Sequence, residues 1–117
     1  MERIIAAFSH SMRALKHLSG TEKAVQQELF LLALALPVGW FFAPSFGFYL
    51  LMLGALLLLL IVEILNTAIE AACNAITREM RDEIRIAKDC GSLAVLLACT
   101  IAGGVWLYAI WLRFFAS

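Results

Sequence analysis

Charge is scarce in this chain. Only 15 % of its 117 residues are charged and 63 % are hydrophobic, against about 25 % and 45–50 % in ordinary soluble domains. With a mean hydropathy of +0.91, that shortage excludes a self-contained soluble globule and leaves an integral membrane protein. The charge that remains balances, nine basic residues against nine acidic, so no bulk field points to nucleic acid or to an acidic partner. Cysteine is also sparse. Cys73, Cys90 and Cys99 show no CxxC or CxxH spacing, which argues against a thiolate metal site and a disulfide framework; all three read as small core residues. Neither a GxxxxGK loop nor a kinase-type glycine-rich loop is present, which excludes the usual soluble nucleotide folds. A cleavable signal peptide is not expected, because Ser9, His10, Arg13, Lys16 and His17 stand where its apolar region would be. Repeats and low-complexity linkers are missing too, so residues 1–117 are expected to form a single domain.

What is there is long apolar runs. Three stand out, at about Ala24–Ala43, Phe46–Asn74 and Cys90–Leu112. Each supplies the ~20 residues that cross a hydrocarbon core as a helix. The first two are separated only by APSF, with Pro44 as breaker, which predicts a tight helical hairpin; Pro37 is expected to kink the first span. Arg3, Arg13, Lys16 and Lys23 precede the first span, and Arg78, Arg81, Arg85 and Lys88 separate the second from the third. Arg113 alone falls on the other side. The positive-inside rule then predicts a multi-pass protein of the bacterial cytoplasmic (inner) membrane, N-terminus cytoplasmic and C-terminus periplasmic. Within residues 2–20, Ile4, Ile5, Phe8, Met12 and Leu15 follow helical spacing and the cations occupy the remaining surface. That pattern predicts an amphipathic helix on the cytoplasmic leaflet, as an anchor or as a cover for a site at the membrane surface. The expected fold class is all-α: three transmembrane helices plus this surface helix.

The polar residues of the second run carry the chemistry. At 100° per residue, Glu63, Asn66, Thr67, Glu70 and Asn74 fall within an arc of about 100°. A carboxylate at mid-bilayer costs ~2.5–3.5 kcal/mol even on lenient scales, so such a stripe faces a bundle interior or a wet cavity. Glu63 lies two turns deeper than Glu70, is the more desolvated and suits the role of proton acceptor. Glu70, nearer the charged loop, suits holding a cation. The plainer alternative is that the stripe only joins helices by hydrogen bonds, with Ala68, Ala71, Ala72 and Ala75 allowing close approach. The loop TREMRDEIRIAKDCGS ends in Lys88-Asp89 before the third span, and Glu22 and Glu28 flank the entrance to the first. A Lys-Asp pair at a membrane boundary is by itself a snorkelling lysine and a helix-start carboxylate. Together, carboxylates and a lysine at one membrane depth are the parts that hold magnesium and polyphosphate.

Glu63-Ile-Leu-Asn66-Thr67-Ala68-Ile69-Glu70, followed after seventeen residues by Lys88-Asp89 and then Gly91-Ser92, resembles the signature of the small prokaryotic diacylglycerol kinases. Arg3-Ile-Ile and Glu22-Lys-Ala-Val-Gln-Gln27-Glu28 fit the same pattern, and the resemblance runs over nearly the whole chain. It implies a homotrimer of three-span subunits with shared active sites, transferring the γ-phosphoryl of MgATP to the primary hydroxyl of a membrane lipid. By the same resemblance Glu63 is the general base. Glu22 and Glu70 bind Mg2+, and Asn66 positions the reacting groups. Lys88 and Asp89 contact ATP phosphate and shape the site. Arg3, Gln27 and Ser92 make further contacts around lipid and phosphate, and His10 stands at an adenine contact.

Two positions depart from the pattern. Asn74 replaces the usual Asp, which puts metal affinity, rate or local packing in question, and His10 replaces an aromatic residue. Within the family, undecaprenol is the alternative acceptor to diacylglycerol. Outside it stand a small ion or proton-relay transporter, for which the third span offers only Thr100, Tyr108 and glycines as a polar path, and a non-catalytic membrane subunit, which Asn74 alone favours.

Overall fold

The computed structural model describes residues 1–116. Its four helices are α1 (Glu2–Thr21), α2 (Lys23–Phe42), α3 (Phe46–Ile76) and α4 (Asp82–Phe114). The last three are long and apolar enough to cross a membrane, as the three apolar runs predict. α3 and α4 share the most extensive interface, α2 lies along α3, and α1 packs against α2 while facing α3 across a groove.

Local chemistry explains the boundaries. A single extended residue, Glu22, separates α1 from α2 (φ −100°, ψ 112°). The joint is stitched by Gln26 Nε2, which donates to the Ser19 carbonyl at 3.0 Å, and by Thr21 Oγ1, which donates to the His17 carbonyl at 2.8 Å. The α2–α3 hairpin turns within Ala43–Ser45, and Ser45 Oγ caps α3 by accepting the Phe48 N–H at 3.1 Å. Trp40 and Tyr49 meet edge to face at 5.4 Å on this end, and the Tyr49 hydroxyl donates to the Leu36 carbonyl at 2.7 Å.

One boundary differs from the sequence reading. α4 starts at Asp82, eight residues before the expected start of the third span at Cys90, so Lys88 and Asp89 are helical. Asp82 and Glu83 in the first turn complement the positive end of the helix dipole, and no breaker follows them.

Packing between spans uses small residues. Ala35 and Gly39 of α2, Ala55 of α3, and Ala98, Ala102 and Ala109 of α4 are buried, so backbones approach closely where lipid gives no hydrophobic drive to associate. Trp106 fills the wider gap and donates its Nε1–H to the Met52 carbonyl at 3.0 Å. At the other end Leu18, Val25 and Leu60 form a cluster joining α1, α2 and α3. The apolar face of α1 (Ile4, Ile5, Phe8, Met12 and Leu15) is left uncovered by the rest of the chain, as expected of a helix whose partner is a membrane surface. The core reading of the cysteines holds only for Cys73; Cys90 and Cys99 are exposed. On a membrane helix, apolar composition does not separate the packed face from the outer one, which explains the error.

Candidate functional site

Helix length sets the depth of the polar stripe. At 1.5 Å per residue, the 31 residues of α3 extend about 46 Å, whereas about 20 residues cross the hydrocarbon. Counted from Phe46, the crossing ends near Leu65. Glu63 therefore sits at the edge of the apolar zone, and Glu70 and Asn74 stand beyond it.

There the chain forms a groove of about 410 Å³ between α1 and α3. Its polar lining comes from three places: His17 on α1, Glu22 at the joint, and Thr67, Glu70 and Asn74 on α3. A second hollow of about 410 Å³ runs on along α1 past His10 and Arg13 and shares Ala14 and His17 with the first. Arg13 Nη2 and His10 Nδ1 are hydrogen-bonded at 2.9 Å. The groove is thus carboxylate-lined, and Arg13 brings a cation to the hollow beside it. Thr67 turns its hydroxyl to its own helix, donating to the Glu63 carbonyl at 3.0 Å.

Among the described residues Asn66 is the one buried polar side chain. Its Nδ2 donates to Glu70 Oε1 at 3.3 Å, while its Oδ1 is enclosed without a conventional hydrogen-bond partner. The reason is Gly91 of α4. A Cβ built there would overlap Asn66 Oδ1 and come within 3.1 Å of Cγ, so the hydrogen Gly91 carries instead points at that oxygen, the geometry of a weak Cα–H···O contact. Gly91 thereby fixes which way the amide faces, and the amide in turn holds Glu70. Closer to the membrane surface, Lys88 Nζ donates across the α3–α4 gap to Asn74 Oδ1 at 3.3 Å.

Glu63 is half-buried and near enough to Glu22 and Glu70 for their charges to interact; Glu28, with one enclosed and unpartnered carboxylate oxygen, is likewise near Glu63. The structure therefore gathers Glu22, Glu63, Asn66 and Glu70, with Lys88 bonded to Asn74 at the same end and His10 in the neighbouring hollow along α1. It does not gather Arg3, Gln27, Asp89 or Ser92, which are exposed within the single chain. No three His, Cys, Asp or Glu side chains among the described residues cluster tightly enough to cage a metal by themselves. Magnesium shared with nucleotide phosphates needs only one or two protein carboxylates, and Glu22 and Glu70 on one groove supply two. The sequence reading assigned no site role to His17, Arg13 or Gly91. His10, Arg13 and His17 sit at i, i+3 and i+7, a shared helix face, so the first two could have been found; Gly91 could not.

Comparison with known proteins bears on the same region. The family model for prokaryotic diacylglycerol kinase matches residues 9–110. The chain is 35 % identical to the diacylglycerol kinase of Escherichia coli (strain K12) over 112 residues, 96 % of this chain and 92 % of that protein. It is 34 % identical to the Pseudomonas aeruginosa diacylglycerol kinase over 106 residues, 91 % of this chain and 86 % of the relative. The Haemophilus influenzae enzyme is 31 % identical over 106 residues, 91 % of this chain and 90 % of that one.

Proposed function

The chain belongs to the prokaryotic diacylglycerol kinase family, and from that premise we propose how its groove phosphorylates a membrane lipid. The acceptor is 1,2-diacylglycerol, the product phosphatidic acid, and the donor MgATP from the cytosol. The observation that carries this reading is that Glu22 and Glu70, from opposite walls, line one groove at the membrane surface. Asn66 holds Glu70 from within the core, and Lys88 reaches toward the same end by way of Asn74.

Phosphoryl transfer asks mainly for positioning and charge neutralisation, so no dedicated nucleotide fold is needed. Glu22 and Glu70 would hold a magnesium ion brought in with ATP, which would supply neutralisation of phosphate charge. Lys88 faces the phosphates and His10 the adenine. Arg3, Gln27, Asp89 and Ser92, exposed in the lone subunit, contact lipid and phosphate in a homotrimer whose sites are shared. Glu63, deepest of the set, accepts the proton of the lipid hydroxyl as that oxygen attacks the γ-phosphorus in line and ADP departs. The depth fits: a diacylglycerol hydroxyl lies at headgroup level, where α3 leaves the hydrocarbon. The basic residues on the groove side support a cytoplasmic groove and N-terminus, with the C-terminus periplasmic.

The test is transfer of labelled phosphate from MgATP to diacylglycerol and to undecaprenol in mixed micelles, with Glu63→Gln alongside. Transfer to diacylglycerol is expected, reduced by 10²–10⁴-fold in the variant, the usual contribution of a positioned base, with nucleotide binding retained. Transfer to undecaprenol alone changes the acceptor and keeps the mechanism. A fully active Glu63→Gln removes the base from the scheme.

A further inference from the structure

His17 is the polar side chain common to two hollows whose linings otherwise differ. Toward the α1–α2 joint it lines the groove of about 410 Å³ with Glu22, Thr67, Glu70 and Asn74. Toward the N-terminus it lines the adjoining hollow, also about 410 Å³, with His10 and Arg13. Only Ala14 accompanies it in both. His17 lies between the two ends: His10 is two turns away on the same helix, about 10 Å of rise, and Glu22 follows the helix at the joint.

The two histidines are committed differently. Arg13 Nη2 and His10 Nδ1 are hydrogen-bonded at 2.9 Å, and because a guanidinium only donates, Nδ1 is the acceptor. The His17 ring takes part in no hydrogen bond or ion pair among the described residues. Its backbone carbonyl alone is used, accepting from Thr21 Oγ1 at 2.8 Å. Nor does the ring join Glu22 and Glu70 in a cluster that could cage a metal. Both of its nitrogens are therefore left for a third body. With the metal-bound phosphates by Glu22 and Glu70 and the adenine by His10, the part of a nucleotide that spans the junction is its ribose. A neutral imidazole offers one donor and one acceptor, the complement of a hydroxyl, whereas a phosphate uses the donor only.

We propose that His17 is a specificity-determining contact for the donor nucleotide, hydrogen-bonding the 2′,3′ hydroxyl pair of its ribose. The inference rests on the lipid-kinase reading of the groove.

The experiment gives the full chain, in mixed micelles, either ATP or 2′,3′-dideoxy-ATP with magnesium. Transfer to diacylglycerol, or to undecaprenol if that is the acceptor, is followed at steady state. The wild-type KM for the dideoxy donor should lie about fivefold above that for ATP, the scale of a hydrogen bond between neutral groups, with kcat alike. His17→Phe keeps a ring without donor or acceptor and should bring the two KM values within about twofold by raising only that for ATP. His17→Ala takes its place if the Phe variant does not fold. His17→Gln, whose amide again offers a donor and an acceptor, should restore part of the preference. Equal KM values in the wild type, a preference that survives in His17→Phe, or a Gln variant no more selective than the Phe variant overturns the proposal. So does an equal rise in both KM values, which would assign His17 to the phosphates instead of the sugar. Failure of the wild-type chain to phosphorylate a lipid with either donor brings down the kinase reading as well; transfer from both donors without preference overturns this inference alone.

Discussion

Replacing Gly91 by Ala is the sharpest perturbation the structure offers, because it separates folding from chemistry. The added Cβ would overlap Asn66 Oδ1 and press on Asn66 Cγ at 3.1 Å and Cβ at 3.8 Å. Two relaxations are open. Asn66 can swing off its rotamer, at about 0.5–1.5 kcal/mol, or α4 can move outward, at the ~1–3 kcal/mol typical of overpacking. Against either stands the ~0.5–1 kcal/mol that Ala gains over Gly inside a helix. Stability should therefore fall by no more than about 2.5 kcal/mol by these magnitudes. The amide, however, can no longer keep its Nδ2 on Glu70 Oε1. A hydrogen bond to a charged acceptor is worth ~1.5–3 kcal/mol, which corresponds to about 10–150-fold in rate if the bond is needed in the transition state. The assay pairs kcat for lipid phosphorylation with unfolding in the same micelles, and Gly103→Ala, where the new Cβ meets nothing within 4 Å, serves as control. A Gly91→Ala variant with kcat within about twofold of wild type would refute the role given to the Asn66–Glu70 bond, since about 0.4 kcal/mol is below any hydrogen bond to a charge. Loss of fold and activity together would show Gly91 to be a packing residue only.

Other expectations follow from the same geometry. Glu70→Gln keeps an oxygen for Asn66 Nδ2 but removes the charge, so half-maximal activity should need at least about tenfold more magnesium; an unchanged magnesium titration would take Glu70 out of the metal site. Leu18→Ala empties part of the cluster with Val25 and Leu60 and should cost about 2–5 kcal/mol locally, seen as faster proteolysis at the α1–α2 joint with the thermal unfolding of the spans unmoved. Equal protease protection in both proteins would mean that α1 is held by something other than that cluster.

The sequence made the spans and the polar stripe visible for the same reason: in a chain this apolar, every break in hydropathy stands out. The hairpin is equally plain, because APSF is short and Pro44 marks a stop; the Ser45 cap emerges only in the fold. What stayed hidden lies between helices. The start of α4 was masked by its own charges, since RDEIRIAK reads as a polar loop although its acidic residues stand at a helix N-terminus, where they are favourable. Gly91 was quoted as part of a motif, but its use depends on what faces it, and Asn66 is 25 residues away. The outward placement of Cys90 and Cys99 was hidden because lipid-facing and packed positions accept the same small apolar residues. The stripe reads as one face; folded, it divides, with Asn66 in the α3–α4 contact, Thr67 and Glu70 lining the groove toward α1, and Asn74 at the boundary, lining the groove while accepting from Lys88 of α4.

That division explains why so small a chain can hold phosphate chemistry without a soluble nucleotide fold. α3 and α4, at about 46 and 50 Å, both exceed the ~30 Å of hydrocarbon, and the surplus of both lies at the same end, since Glu70 and Asn74 close α3 where Asp82 to Asp89 open α4. The overhangs are continuous with the buried spans, so they inherit the spans' rigidity. Lys88 is placed by a helix rather than by a loop, and Glu70 by an amide locked into the core, which is the kind of support that holds reacting groups to within a fraction of an ångström. Only α1 is attached lightly: of its residues Leu18 alone is buried, and it joins α2 through the single extended residue Glu22. The α3 wall of the groove is therefore braced by the spans, and the α1 wall opposite it rests on the Leu18 cluster and that joint.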